Sequence, residues 1–292
     1  MARRLHFTKM HGLGNDFVVI DGVRQIFTPQ KALIKKWADR HRGVGFDQLL
    51  LVEKADYPQH DFKYRIFNRD GSEVEQCGNG ARCFAKFVYL SGLSTKKSLQ
   101  VETMKGILQL TLLVDGQVKV VFPPPILDLN KIPFVPKLVP KPGLAAPPGH
   151  CQWVLLRGEK IPVLCVNVGN PHAVVWVEDI AKAPLATLGK EIAQSEQFPE
   201  GVNVGFAQKK DPQHLFLRVR ERGVGETEAC GSAACAAALA GVLEKGMVSP
   251  ITVHLPGGSL NIEVAPQEAI VMTGPAEWIY DCLLYTSPSP RD

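Results

Sequence analysis

Apolar and polar residues alternate over short stretches through most of the chain. Leu108, Leu110 and Leu112 alternate with Gln109 and Thr111, and Leu215, Leu217 and Val219 alternate with Phe216, Arg218 and Arg220. A period of two over such runs predicts half-buried strands, and the β-branched run Ala173-Val174-Val175-Trp176-Val177 has strand length. Helical periods are fewer. One covers about 78–91, apolar at Ala81, Phe84, Ala85, Val88 and Tyr89 and stopped by Gly92. The other covers about 231–245, with Cys235, Leu239, Val242 and Leu243 on one face and Gly246 as its stop. Many short strands with few helices predict an α+β fold.

Between Pro123 and Gly149, nine of 27 residues are proline. Proline fixes φ and removes a backbone donor, so this stretch resists regular structure. It reads as a connection between two nearly equal halves, with a proline-rich surface loop inside one domain as the alternative. A faint internal repeat supports two halves. Cys77-Gly78-Asn79-Gly80-Ala81-Arg82-Cys83 matches Cys230-Gly231-Ser232-Ala233-Ala234-Cys235 in residue type, each opens a predicted helix, and Glu73 and Glu226 lie four residues ahead. A spacing of 153 residues is too long for a solenoid and fits duplication of a whole domain.

Composition narrows the class. At 292 residues, 45% hydrophobic and 21% charged, the chain has room for one large or two ordinary globular domains. Its net charge of +4 forms no basic block, so nucleic acid is not an expected partner. Arg3 and Arg4 are not followed by an apolar segment, and no run approaches the roughly 18 apolar residues of a membrane helix. A cytoplasmic protein with no membrane partner is therefore expected. The seven cysteines form no C-x-x-C pair and no zinc-type cluster, so neither a disulfide framework nor a metal site is expected. Each is either a small buried hydrophobe or a reactive thiol.

A cysteine followed by glycine at a helix start has a definite chemistry. The first turn carries N–H groups without intrahelical partners, and the macrodipole adds positive character. A thiolate is favoured there relative to an ordinary pKa of about 8.5, and the same N–H groups can hold a carboxylate. The glycine admits a ligand close to the backbone, while Asn79 or Ser232 can cap the helix. One such start per half predicts a site in the cleft between halves, with a thiol on each side. Inverting a stereocentre by deprotonation needs a base on one face and an acid on the other, and cysteine serves as either near neutral pH. The charge that spreads into a substrate carboxylate would meet two sets of helix N–H groups. No cofactor is needed for that step. Either cysteine alone reads equally as a buried structural thiol; the repeated context favours chemistry.

Other polar residues punctuate the strands. Asn15 lies in His11-Gly12-Leu13-Gly14-Asn15-Asp16-Phe17, Asn68 follows an apolar run, Asn170-Pro171-His172 separates two strand-like runs, and Glu221-Arg222 ends another ahead of the second Cys-Gly. Each alone reads first as a turn or capping residue. No G-x-G-x-x-G or P-loop is completed. A cysteine-protease reading built on Cys77, His172 and Asn170 leaves the second Cys-Gly unexplained.

In order along the chain, Lys9-Met10-His11-Gly12-Leu13-Gly14-Asn15-Asp16-Phe17, Gly45-Phe46-Asp47-Gln48, Asn68-Arg69-Asp70-Gly71-Ser72-Glu73, Gln76 to Cys83, Gly169-Asn170-Pro171-His172 and Glu221 to Ser232 resemble the signatures of the diaminopimelate epimerase family. The resemblance runs from about Phe7 to Asp281. It implies two pseudo-symmetric α/β domains, each a curled, mostly antiparallel sheet around a central helix, with the active site in the cleft between them. The implied domains are 1–122, with 275–281 returning to it, and 123–274. Cys77 and Cys230 then match the catalytic thiol–thiolate pair, and His172 and Glu221 match residues that tune it. Asn15, Gln48, Asn68, Gly78, Asn79, Asn170, Asn203, Glu221, Arg222, Gly231 and Ser232 match positions that bind LL- or meso-diaminopimelate. The resemblance further implies cofactor-independent turnover, a homodimer, and a place in lysine and peptidoglycan-precursor synthesis.

Two departures stand out. Ala233 replaces a glycine usual in the family, and the pattern is lost at Cys282, where Cys282 to Asp292 reads as a non-native tail contributing nothing, leaving the terminal strand in doubt. Proline racemase-like enzymes and phenazine-pathway isomerases are the nearest rivals. The asparagine-rich strings oppose the first, and the presence of both cysteines opposes the second. A ligand-binding protein without turnover is the rival from another class.

Overall fold

The alternating runs form strands, and both helical periods form helices at nearly the expected bounds. The structure, a computed structural model, describes residues 3–74, 77–137 and 150–286. They fall into two units, Met1–Val120 with Gly274–Asp292, and Val121–Thr273. No helix among the described residues is long and apolar enough to cross a membrane.

In the first unit, β1 (Arg3–Gly12) and β2 (Asn15–Asp21) form an antiparallel hairpin. Its turn residues Leu13 and Gly14 have φ of 57° and 87°, the type I′ pattern that suits hairpin twist. Left-handed geometry costs Leu13 roughly 1–2 kcal/mol. The next residue, Asn15, closes the hairpin opposite Gly12. A helix absent from the sequence reading, α1 (Lys31–Ala38), leads to β3 (Gln48–Lys54), parallel to β2. Strand β4 (Phe62–Asn68) pairs antiparallel to β3, and the short β5 (Glu73–Val74) folds back on β4. Helix α2 (Gly78–Leu90) crosses to β6 (Ser98–Thr103), parallel to β4, and β7 (Gly106–Leu112) pairs antiparallel to β6. From Gly78 to Val88 every residue of α2 except Lys86 is buried, because the helix packs on β1, β2, β3 and β7 together. Strand β8 (Val118–Phe122) carries the chain into the second unit.

The described part of the proline-rich stretch is packed rather than a free connection. Ile126 bridges to Asn167, a 3₁₀ turn spans Leu129–Lys131, and Ile132 and Phe134 are buried in the second unit's core. Residues 138–149 lie outside the described residues. Strands β9 (Cys151–Leu156), β10 (Glu159–Asn167) and β11 (Pro171–Trp176) then run antiparallel in sequence. A short helix, α3 (Lys190–Ala193), precedes β12 (Asn203–Asp211), parallel to β11. Strand β13 (His214–Glu221) is antiparallel to β12, and β14 (Gly225–Thr227) folds back on β13. Helix α4 (Gly231–Lys245) crosses to β15 (Ile251–Leu255), parallel to β13; β16 (Gly258–Glu263) and β17 (Ile270–Gly274) follow antiparallel. Strand β18 (Glu277–Thr286) returns to the first unit and pairs antiparallel to β1.

The strand pairings of β1 to β7 around α2 repeat, relation for relation, in β10 to β16 around α4. The repeat extends to side chains. Arg65 Nε donates to Glu73 Oε1 at 2.7 Å, and 153 residues later Arg218 Nε donates to Glu226 Oε1 at 2.8 Å. Each pair ties the short strand just ahead of a Cys-Gly helix start to its neighbour, at the ~0.2–1 kcal/mol that partly exposed pairs supply. The two pseudo-symmetric units are thus visible in topology, register and ion pairs.

The loss of family pattern at Cys282 does not end the strand. Strand β18 pairs Cys282 with Phe7, Leu284 with Leu5 and Thr286 with Arg3, and Leu284 packs on the core built from Leu5, Phe7 and Val18. The terminal strand is therefore present, and an idle tail remains an expectation only for 287–292, which lie outside the described residues.

Candidate active site

Register gathers the candidate residues at one end of each sheet. In the first unit Phe17 stands beside Gln48 on β3, and Gln48 beside Asn68 on β4. Asn15, Gln48 and Asn68 therefore share an end of the sheet. Cys77 is the N-cap of α2, with extended backbone (φ −141°, ψ 114°) and Sγ accepting the Gly80 N–H. In the second unit His172 stands beside Asn203, and Val204 beside Arg220, which places Asn203 next to Glu221. Cys230 is the N-cap of α4 with nearly the same backbone (φ −131°, ψ 111°) but no side-chain cap. The duplication thus equates Asn15 with Asn170, Phe17 with His172, Gln48 with Asn203, Asn68 with Glu221, Cys77 with Cys230 and Asn79 with Ser232.

Around Cys77 the polar groups form a directed chain. Arg82, buried without exposure, donates from Nη1 to Asn79 Oδ1 at 3.1 Å and from Nε to the Pro275 carbonyl at 2.9 Å. Asn79 Nδ2 donates to Asn15 Oδ1 at 3.4 Å, and Asn15 Nδ2 donates to Asp47 Oδ2 at 3.0 Å. Asn15 Oδ1 also faces Cys77 Sγ at 3.8 Å. The thiol has an acceptor for its proton in Asn15 Oδ1, and the thiolate has a donor in the Gly80 N–H. Beside them Gln48 Nε2 donates to Asn68 Oδ1 at 3.0 Å, while Gln48 Oε1 is buried with no hydrogen-bond partner among the described residues. A buried orphan acceptor at such a site calls for a ligand donor.

Sequence reading missed the charges behind Asn15. Arg40 reaches both Asp16 oxygens, at 3.0 and 2.7 Å, and Asp47 Oδ1 at 2.8 Å. The buried Lys9 holds Asp16 and the Gly45 carbonyl. Burial alone would raise the Asp16 carboxyl, but hydrogen bonds from Arg40 and Lys9 outweigh it and hold the pKa at about 2. A glycine-spaced motif signals a turn, and nothing in its spacing reveals which distant cation folds over it.

Around Cys230 the chain of contacts is different. Ser232 Oγ lies 3.5 Å from Cys230 Sγ, and His172 Nε2 lies 3.0 Å from that hydroxyl and 2.9 Å from Asn170 Oδ1. Burial, then the charge of Arg222, pull the His172 imidazole down to about 3, so it is neutral at physiological pH. Its Nδ1 has no hydrogen-bond partner among the described residues. Leaving an N–H buried and unpaired is the costlier choice, so the proton is assigned to Nε2. Asn203 Oδ1 accepts the Arg222 backbone N–H at 2.8 Å, and Glu221 Oε1 accepts from Thr227 Oγ1 at 2.6 Å. Cys83, Cys151 and Cys165 are buried thiols. Burial pushes Cys83 up to about 12 and Cys165 higher still; burial, reinforced by Glu244, pushes Cys151 up to about 12. Those thiols stay protonated.

Solved structures share this fold. A hydroxyproline epimerase from Agrobacterium vitis superposes with TM-score 0.68 at 16% identity, covering 99% of this chain and 94% of that one. A phenazine biosynthesis protein of the PhzF family from Bacillus anthracis gives TM-score 0.68 at 16% identity, covering 97% and 99%. At 16% identity these likenesses establish the fold that this chain shares with a racemase- and epimerase-type architecture, and the class follows from closer relatives. The family model for diaminopimelate epimerase matches residues 7–126 and 164–279. Diaminopimelate epimerases of Pseudomonas paraeruginosa and Pseudomonas syringae pv. syringae are 50% and 51% identical over 278 residues, covering 95% of this chain and 98% of each relative. The chain belongs to the diaminopimelate epimerase family.

Proposed function

We propose that this enzyme interconverts LL- and meso-diaminopimelate by a two-base cysteine mechanism that requires no cofactor. The observation that carries the reading is the N-cap cysteine repeated with the same backbone in both units, each followed by glycine and backed by its own polar relay. One sulfur, as thiolate, takes the α-proton. The electron pair left on carbon delocalises into the adjoining carboxylate, which the first-turn N–H groups of α2 and α4 stabilise. The other sulfur, as thiol, gives its proton to the opposite face, so the net change is inversion alone. Asn15, Gln48, Asn68, Gly78, Asn79, Asn170, Asn203, Glu221, Arg222, Gly231 and Ser232 bind the substrate in this reading. Its two ammonium groups suit acceptors such as Gln48 Oε1 and Glu221, and its carboxylates suit Arg222 and the helix starts. His172 and Glu221 tune the cysteines. The enzyme works in the cytoplasm as a homodimer, in lysine and peptidoglycan-precursor synthesis.

The test is an incubation with meso-diaminopimelate and no added cofactor in heavy water, sampled early by chiral chromatography and mass spectrometry. The LL product should carry solvent deuterium at the inverted centre while recovered substrate carries almost none. Absence of LL product overturns the activity; early label in recovered substrate overturns the two-base mechanism in favour of a single base.

A further inference from the structure

We propose that Asp47 is a positioning residue: its carboxylate, clamped by Arg40, fixes the Asn15 amide so that the oxygen, not the nitrogen, faces Cys77 Sγ. An asparagine amide has two ends of nearly equal size and opposite hydrogen-bonding sense, so its orientation is set by what it meets. Asn15 is read from both sides. Arg82 has only donors, so Asn79 must give it an oxygen and present its nitrogen to Asn15 Oδ1. Asp47 accepts on both carboxylate oxygens, Asn15 Nδ2 and the Asp16 backbone N–H on one and Arg40 on the other. Both ends demand the same orientation.

Comparison of the units explains the anchor. The residue two after Asn170 is His172, which holds the Asn170 amide directly. The residue two after Asn15 is Phe17, which has no polar group to offer. On the neighbouring strand the residue before Asn203 is the buried Val202, and the residue before Gln48 is Asp47. The first unit therefore takes from the residue just ahead of β3 the anchor that the second takes from β11. Arg40 and Asp47 are both partly exposed, so their pairing adds little stability; it fixes direction.

The inference rests on the role proposed for Cys77, and the test separates the two. Asp47→Ala, which leaves Asn15 Nδ2 without its acceptor, should lower kcat on the order of tenfold, more than it alters KM. Asp47→Asn keeps one oxygen toward Asn15 and should retain activity within about threefold. In a double-mutant cycle Asp47→Ala should cost nothing further once Asn15 is Ala, because it acts through Asn15. Where Asp47→Ala does not fold, Arg40→Met should give a smaller loss with the same dependence on Asn15. Peptide-mapped iodoacetamide labelling of Cys77, which needs no turnover, should quicken severalfold in Asp47→Ala and not in Asp47→Asn, as the thiol loses its fixed acceptor. An inactive parent defeats the proposed function. An active parent with additive losses, or labelling unchanged in Asp47→Ala, defeats the role of Asp47.

Discussion

Tyr64 Oη stands where a side chain on Gly80 would have to go: a Cβ built there lies 2.2 Å from the hydroxyl. Tyr64 is buried and donates to the Cys77 carbonyl at 3.3 Å, so it cannot retreat without releasing the helix start. Gly80→Ala should therefore cost about 1–3 kcal/mol, read from the urea midpoint, and lower kcat as well. The duplicated position is Ala233, and the residue matching Tyr64 is Leu217, which carries no hydroxyl. Adding Tyr64→Leu to Gly80→Ala should recover most of the lost stability. A Gly80→Ala protein as stable as the parent would show that the helix start can shift.

The acid limb of the stability curve should have two parts. His172 has an ordinary pKa of 6.5 and a folded value of about 3, so the unfolded chain binds the extra proton between them. Its stabilising contribution is complete above 6.5 and is lost as pH falls toward 3, at up to about 1.4 kcal/mol per pH unit. Asp16, lowered from 3.8 to about 2, contributes fully above 3.8 and loses that contribution as pH falls to 2. Urea midpoints of His172→Gln should be flatter between 6.5 and 4 and keep the lower part. An equally steep upper part in the variant would place its origin elsewhere.

Cys77→Ala and Cys230→Ala should each remove inversion by a factor on the order of 10²–10⁴ or more, because in the proposed two-base mechanism each sulfur carries the proton on one face. Cys83→Ala, which empties a fully buried position, should lower stability by about 1 kcal/mol and leave kcat near the parent's. Steady-state rates on folded, purified variants separate these outcomes. Near-parental epimerisation by either helix-start variant would remove that sulfur from the mechanism.

Removing residues 283–292 should lower the melting temperature by several degrees. The truncation strips the partners of Leu5 and His6 from β1 and uncovers the core that Leu284 packs on. A thermal scan of the truncated chain checks it. An unchanged melting temperature would mean that β18 contributes nothing beyond Cys282.

What was legible in the sequence was periodic or repeated. The alternation at Leu108–Leu112 marked β7, the glycines at 92 and 246 marked the ends of two helices, and the recurring Cys-Gly marked the two helix starts. Helix α1 escaped because its eight residues hold too few turns for a period to stand out. The anchoring of Asn15 escaped because Arg40 and Asp47 reach it through tertiary approach across a crossover, which no spacing encodes. The proline-rich stretch misled in part: proline forbids ladder bonds, yet it does not prevent Ile132 and Phe134 from burying their side chains.

Strand β1 lies between β2, which follows it at once, and β18, which is the end of the described chain. On the ribosome the second unit, Val121–Thr273, is a continuous stretch and can close as soon as it emerges. The first unit cannot; from the synthesis of β2 until the synthesis of β18, one edge of β1 keeps its N–H and C=O groups unsatisfied by any strand of its own sheet. The half that is translated first is completed last. During that interval the nascent chain exposes a ten-residue edge to neighbouring ribosomes' products, so a translation pause anywhere between β2 and β18 prolongs the hazard of aggregation.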